Sequence, residues 1–487
     1  MNRDSWQGPL IRVDEYRWQI PKSFRTGMKV PGLIYADEEL LHHIRMDKTP
    51  EQVANVAHLP GIVKYSLAMP DIHWGYGLPI GGVAAFDINA GGIISPGGVG
   101  SDINCGVRAL TTKLKIEDIK DYIEEIVQAL FYAIPSGLGS KGRIKLTKKE
   151  LEEVLTKGSK WAIKKGYGEA QDLLHTEEEG ALPNANPDNI SDRAYERGLR
   201  QLGTLGSGNH FLEIQVVEEI YEKNVASIFN LKKDYIVIMI HSGSRGLGYQ
   251  VCEDYLRFMR EVSEKYKIYP PDRQLCCAPL NSPEGKKYHS AMSSAANYAW
   301  ANRQCIMYWT KEVFGKVLQA SPNDLNIQLL YDVAHNIGKI EEHEVAGKKL
   351  TLCVHRKGAT RAFPAGHKNV PEKYKTVGQP VIVPGDMGRS SFILIGTEKG
   401  MEETFGSACH GAGRLMSRTK ALETTRGNKV IEDLHKKGIV IKSASYKTIA
   451  EEMPEAYKDV SDVVNVLHEA GICRKVAKLR PLGVVKG

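Results

Sequence analysis

No CxxC pair, no apolar run of 18 residues and no Asp-Gly dipeptide occur in this chain of 487 residues, and each absence removes a class of answer. Eight cysteines lie scattered at 105, 252, 276, 277, 305, 353, 409 and 473. Without CxxC there is neither a zinc ribbon nor a thioredoxin motif, and so sparse a set suits a reducing compartment better than a disulfide scaffold. The lack of a long apolar run argues against a membrane-spanning helix, and Met1-Asn2-Arg3-Asp4-Ser5-Trp6 does not open like a secretory leader. The expectation is a soluble, cytoplasmic protein. Common enzyme signatures are missing too: there is no GxxxxGK[ST] phosphate loop, no HExxH and no GxSxG. Because Asp never precedes Gly, a lysine-centred KxDG nucleotidyl-transfer motif is impossible. The GxGxxG match at Gly137, Gly139 and Gly142 follows a helical pattern where a dinucleotide site needs a strand.

What is present is ordinary in bulk. The chain is 42% hydrophobic and 25% charged, a globular balance that excludes disorder and membrane bundles. Its net charge of +7 permits a polyanionic partner without demanding one. Glycine stands out: there are 47, against an average usage of about 7%. They cluster in polar company.

Residues 68–110 are dense in Gly, Pro and β-formers and read as strands joined by tight turns. Ile116, Ile119, Ile123, Ile126 and Leu130 recur at helical spacing until Pro135. Thr147 with Glu150 predicts a capping box opening a helix through Leu151, Val154, Leu155 and Trp161. The polar stretch 173–198 reads as a loop. Apolar runs at 235–240, 329–333, 350–354, 381–383 and 392–395 predict buried strands, and 250–265 and 290–318 predict helices. The alternation lacks a βαβ period, a repeat or a dividing linker. It predicts a mixed α/β (α+β) fold with one large domain over 1–487 and a small helical insertion around 114–198.

Five distant segments share one character: a metal-ligating or nucleophilic residue at the end of a strand-like run or among glycines. Asp102 and Cys105 lie three apart in Gly100-Ser-Asp102-Ile-Asn-Cys105-Gly, so both can converge on one ion, and a thiolate can bridge two. Asn209, His210 and Glu213 follow the glycines of 203–208. His241 ends the run at 235–240 and opens into a loop with Arg245, and His335-Asn336 follows 329–333 in the same way. His410 sits among glycines between Cys409 and Arg414. Alone, the Asp102–Cys105 and His210 segments read more readily as structure and the His241 and His335 segments equally well either way, while His42, His43, His343, His435 and His468 read as solvated or capping residues. Together the five predict one composite centre for one or two divalent ions, with Zn²⁺, Mn²⁺, Co²⁺ and Fe²⁺ all admissible. A further histidine is then free as nucleophile or proton donor. The spacing supports a metal-dependent enzyme acting on a phosphate-bearing substrate.

These segments, with Met69-Pro-Asp71-Ile-His73-Trp-Gly-Tyr-Gly, His355-Arg356-Lys-Gly-Ala-Thr360-Arg361-Ala, Pro384-Gly-Asp386-Met-Gly and Val484-Val-Lys486-Gly487, resemble the RtcB family of GTP-dependent RNA-splicing ligases over nearly the whole chain. The resemblance implies a two-Mn²⁺ centre bridged by Cys105, with Asp102 and His210 completing one site and His241 and His335 the other. It implies that His410 attacks the α-phosphate of GTP and carries GMP to an RNA end. A 2′,3′-cyclic phosphate or 3′-phosphate end would then be joined to a 5′-hydroxyl end through a 3′-guanylylated RNA. Asn209, Phe211, Glu213, Asn336, Ser391, Ala412, Gly413, Tyr457 and Lys486 would form the guanylate site, with the backbone of Pro384, Gly385, Asp386 and Met387. Arg197, Arg245 and Arg414 would meet RNA phosphates, and Asp71 would support the metals from behind their ligands. The small activating protein archease is a partner of many relatives. Asp386 departs from the family pattern, in which a small hydroxyl residue is common, so its carboxylate must face an arginine or a metal to avoid repelling phosphate. Two rival readings stand beside the ligase. One is a metal-dependent cyclic phosphodiesterase or phosphatase, which needs no His410. The other is a non-catalytic RNA-binding factor, for which the ligand set has no evident use.

Overall fold

The computed structural model describes residues 5–487. The continuous apolar run beginning at Tyr235 forms the strand Tyr235–Ser242, buried from Ile236 onward because both faces of its sheet are covered. That sheet runs in the order Gln328–Ala334, Gly106–Lys115, Tyr235–Ser242, Phe211–Ile220, Cys473–Lys486, Ser391–Gly396, Pro380–Val383, with antiparallel neighbours throughout. Val440–Ser443 joins it in parallel beside Cys473–Lys486. A second sheet runs Ile11–Arg12, Arg17–Ile20, Gly32–Tyr35, Ile62–His73, Ile80–Asp87, Lys348–Lys357, Asn336–Val345. The strands Gln328–Ala334 and Asn336–Val345 belong to different sheets, and His335 alone separates them. The sheets therefore meet at a predicted ligand, and the fold is the mixed α/β class expected.

The helix Pro283–Val317, 35 residues long, is buried over most of its circumference. Its Ala- and Ser-rich middle admits close neighbours, and Ile123–Ala133, Lys148–Lys157 and Ser159–Lys164 pack against it. Leu151, Val154 and Trp161 thereby share one apolar cluster with Tyr298 and Trp300 and with Leu352 and Val354 of the second sheet. No helix among the described residues is long and apolar enough to cross a membrane.

The capping box forms: Thr147 Oγ1 accepts the Glu150 amide at 3.2 Å and Glu150 Oε2 accepts the Thr147 amide at 3.0 Å. Three expectations change. The helix through Trp161 breaks at Gly158, whose φ of +52° no helix interior tolerates. The helical pattern at 116–130 divides into Ile116–Ile119 and Ile123–Ala133. The loop expected at 173–198 ends in a helix, Asp192–Gly198, because Ser191 Oγ accepts the Ala194 amide at 3.3 Å and caps it.

Candidate metal and nucleotide site

Antiparallel pairing gathers the predicted ligands. Cys105 precedes Gly106, which pairs with both Ala334 and Ser242, while His241 pairs with Val107 and Phe211. Cys105, His210, His241 and His335 thus stand at the same end of four adjacent strands. Lys486, opposite Phe211, ends the fifth.

Cys105 Sγ lies 3.3 Å from Nε2 of both His210 and His241. His241 Nε2 is 3.2 Å from His335 Nε2, and His210 Nε2 is 2.8 Å from Asp102 Oδ2. Burial, reinforced by neighbouring histidines, pushes His241 and His335 well below the ordinary imidazole value, so both are neutral and able to donate a lone pair. Burial and Asp102 push the Cys105 thiol well above its ordinary value. Burial opposes ionisation of Asp102, but His210 outweighs it and holds the carboxyl low. Imidazole nitrogens, a sulfur and a carboxylate therefore converge at the floor of a cleft, where shared protons or a cation reconcile their lone pairs. The donor set fits one or two divalent transition ions.

His410 stands outside this cluster, its ring centroid 4.8 Å from that of His335. Its Nδ1 is 2.6 Å from Asp71 Oδ2, which also accepts the His410 backbone amide at 3.0 Å. Asp71 therefore orients His410, a correction to its expected place behind the metal ligands. Two glycines permit the approach. A Cβ at Gly413 (φ +73°) would strike the Asp71 backbone, and one at Gly358 (φ +59°) would press on the His410 ring.

A cleft of about 700 Å³ opens over these groups. Asn209, Phe211, Glu213, Asn336, Pro384, Gly385, Asp386, Met387, Ala412, Gly413, Tyr457 and Lys486 line it, as the resemblance implies for a nucleotide site. Ser391 does not face the cleft. It is buried behind the lining, where its hydroxyl accepts from Gln215 Nε2 (3.0 Å) and the Gly385 amide (3.2 Å). Gln215 in turn donates to Glu213 at 2.6 Å. Burial raises Glu213 to about 7 against the pull of Gln215 and Lys486, and burial lowers Lys486. The Asp386 carboxylate faces an arginine, accepting from Arg389 Nε at 2.5 Å and the Gly388 amide at 3.0 Å.

The arginines expected on RNA divide. Arg414 lines the cleft, held by Tyr457 Oη (3.1 Å), the Glu451 carbonyl (2.8 Å) and Glu452 (3.2 Å). Arg245 is instead turned back behind a ligand. Its Nε donates to Thr204 Oγ1 at 3.2 Å and its Nη1 to His210 Nδ1 at 3.4 Å. Arg197 lies outside the cleft lining, 5.6 Å over the Tyr249 ring.

Sequence reasoning missed the brace beneath the centre. Arg303, fully buried, donates to both Asp332 oxygens at 2.8 Å, to the Asn104 carbonyl at 2.8 Å and to the Ser242 carbonyl at 2.9 Å. Those carbonyls adjoin Cys105 and His241. Asn104 has φ +51°, a strained value for a residue with a side chain, and its Oδ1 accepts from Arg303 as well (3.0 Å). Neighbouring Asn302 accepts the Gly203 amide at 2.7 Å and donates to the Gly243 carbonyl at 3.2 Å. The available signal was three long polar residues, Asn302-Arg303-Gln304, inside a helix of small and aromatic ones.

Donor atoms able to hold a divalent ion thus stand on adjacent strand ends, open to the cleft and flanked by a separately oriented imidazole, an arrangement that fits a metal-dependent enzyme. The chain belongs to the RtcB family: the family described as tRNA-splicing ligase RtcB matches residues 52–487. It is 54% identical over 481 residues to the tRNA-splicing ligase RtcB of Archaeoglobus fulgidus, covering 99% of each chain. To the protein of that name from Thermococcus kodakarensis it is 54% identical over 479 residues, 98% of this chain and 99% of the relative. To that from Nanoarchaeum equitans it is 49% identical over 479 residues, with the same coverage.

Proposed function

We propose that this chain is a cytoplasmic, GTP-dependent RNA ligase that joins a 2′,3′-cyclic phosphate or 3′-phosphate end to a 5′-hydroxyl end. The single observation that carries the reading is His410, an imidazole outside the donor cluster, oriented by Asp71 and lining a cleft shared with Glu213 and Lys486. Phosphodiester hydrolysis would leave that orientation without a purpose.

Asp71 takes the hydrogen bond of Nδ1–H, which leaves the Nε2 lone pair for attack. An N–P bond forms at the α-phosphate of GTP as the bond to pyrophosphate breaks, giving a histidine–GMP phosphoramidate. Glu213 accepts from guanine N1–H and its amino group, a pairing that adenine cannot return. A 3′-phosphate oxygen of the RNA, after any cyclic phosphate is hydrolysed, displaces His410 and takes GMP. The 5′-hydroxyl oxygen then attacks the 3′-phosphorus and GMP leaves. Asp102, Cys105, His210, His241 and His335 would hold two Mn²⁺, which when bound supply charge stabilisation to the phosphates. Archease is proposed as an activating partner, expected to raise multiple-turnover ligation when added.

Incubation with α-labelled GTP and Mn²⁺, followed by denaturing electrophoresis, tests the reading. Acid-labile label is expected on the wild type and absent from His410→Ala. Label on both proteins would move the nucleophile elsewhere, and no label with cyclic-phosphate RNA still opened would favour the hydrolase.

A further inference from the structure

Beyond Asp71 the strand Ile62–His73 runs into the turn 74–79, whose backbone is tied down by three side chains. Buried Gln52 donates from Nε2 to the carbonyls of Gly75 (2.6 Å) and Gly77 (3.1 Å) and accepts the Gly75 amide at 3.1 Å. Gln274 Oε1 accepts the Gly77 amide at 2.8 Å. Buried Lys357 donates to the Tyr76 carbonyl and, at 3.1 Å, to the Gly97 carbonyl, which ties this turn to the glycine turn before Asp102. Burying a lysine among carbonyls is costly, and here the return is a fixed backbone. Side chains along the turn alternate. Gly75, Gly77 and Leu78 are buried, while Trp74 is 52% and Tyr76 39% exposed. Trp74 lines the same cleft as His73 and His410.

A rigid turn that holds an indole in solvent at the wall of a phosphate-chemistry cleft has the physics of a stacking platform. We propose that Trp74 stacks a nucleobase at an RNA end presented to His410, with Tyr76 extending the aromatic surface. This rests on the RNA-ligase reading and adds a base-binding subsite to it. Stacking suits the task because every base offers a π-face, so a ligase that reads end chemistry can hold ends of any sequence. A single-stranded end also leaves its terminal base free to unstack, which a duplex does not.

Trp74→Ala, Trp74→Phe and Tyr76→Ala, compared with wild type, test the platform in three readouts: RNA-free guanylylation, the KM for RNA, and fluorescence of 2-aminopurine at the cyclic-phosphate end. Trp74→Ala is expected to raise the RNA KM roughly 5- to 100-fold, the usual contribution of one stacked base. It should also abolish the 2-aminopurine quench and leave guanylylation within about twofold of wild type, the order of RT. Trp74→Phe is expected to recover most of the loss, and Tyr76→Ala to cost less than Trp74→Ala. An unchanged KM and quench in Trp74→Ala would overturn the proposal, and so would guanylylation slowed as much as ligation. Intact RNA binding with loss of the response to archease would make this face a protein contact and equally overturn it. Should the wild type fail to guanylylate yet quench 2-aminopurine through Trp74, the platform stands and the ligase reading falls.

Discussion

Asp71 Oδ2 holds His410 twice, accepting from the ring Nδ1 at 2.6 Å and from the backbone amide at 3.0 Å. One buried oxygen thereby sets the tautomer and the position of the imidazole, while Asp71 Oδ1 is buried with no competing partner. Asp71→Asn is expected to slow histidine guanylylation by up to about 10⁴-fold, because an amide in place of the carboxylate favours the wrong imidazole tautomer. Mn²⁺ affinity should be unchanged, because Asp71 touches none of the five metal-ligand candidates. Rapid-quench guanylylation together with metal titration checks both halves, and a loss confined to metal affinity would return Asp71 to a metal-supporting role.

Glu213 gives the proposed guanine site a pH dependence whose sign can be worked out. Its carboxyl is raised by burial from 4.5 to about 7, so it stays neutral to a higher pH than an ordinary glutamate. Guanine donates to a carboxylate, so below pH 7 the proton must leave before GTP binds. GTP affinity is expected to fall about tenfold per pH unit below 7 and to level off above it. The same shift means that the free fold holds this proton more tightly than the unfolded chain does. Its stabilising contribution is full below pH 4.5 and is lost as pH rises through 7. Calorimetry at pH 5.5 to 8 in buffers of different ionisation enthalpy measures the proton release, which Glu213→Gln should eliminate along with the preference for GTP over ATP.

Arg303 links the three segments that carry Cys105, His241 and His335 through Asn104, Ser242 and Asp332. Lysine keeps the charge but cannot span those carbonyls, and Asp332 would retain Arg108 at 2.7 Å as its remaining partner. Arg303→Lys is expected to weaken divalent-ion binding roughly 10- to 100-fold. It should also lower unfolding free energy by about 3 kcal/mol, the low end for breaking a buried ion pair. Cobalt titration, read by the charge-transfer band of the Cys105 thiolate, separates the two effects at a temperature where the variant is folded. Unchanged cobalt affinity would reduce Arg303 to a purely structural brace.

The candidate metal ligands stand out in the sequence because each closes a strand-like run or follows a glycine turn, and those signals are local. His241 after 235–240 is the clearest case. Their convergence was not local: it depends on antiparallel register placing Gly106 beside both Ala334 and Ser242, which no spacing in one chain reveals. Arg245 was misread for the same reason. In sequence it follows a ligand in a glycine-rich loop, but it begins the helix Arg245–Lys265 and its side chain folds back onto His210. Ser391 sits beside the nucleotide loop in sequence, yet strand alternation directs its hydroxyl at Gln215 and the Gly385 amide rather than into the cleft. Arg303 was hidden by helical periodicity, which reports burial but not the partner of a buried charge.

Asp386 puts a carboxylate on the cleft lining, and its neighbours account for how it is held there. Arg389 neutralises it through Nε and extends Nη2 to the Tyr457 carbonyl at 3.0 Å and to the Pro454 carbonyl at 2.5 Å. The pair therefore ties the 384–388 turn to the segment that carries Tyr457 across the cleft lining. Asp386→Ser removes the anchor and leaves Arg389 with Asp459, 3.7 Å from its Nη1. Losing one charge-assisted hydrogen bond of this kind costs about 1.5–3 kcal/mol. Much of that should fall on the ordering of Tyr457, so the KM for GTP is expected to rise roughly tenfold with kcat for guanylylation little changed. The double variant Asp386→Ser/Arg389→Ala should lose no less than Asp386→Ser alone, because it also removes the Arg389 bonds to the Tyr457 and Pro454 carbonyls and its contact with Asp459 at 3.7 Å. Steady-state guanylylation by the wild type and the two variants decides the matter, and equal losses in kcat would place Asp386 on the reacting phosphates instead.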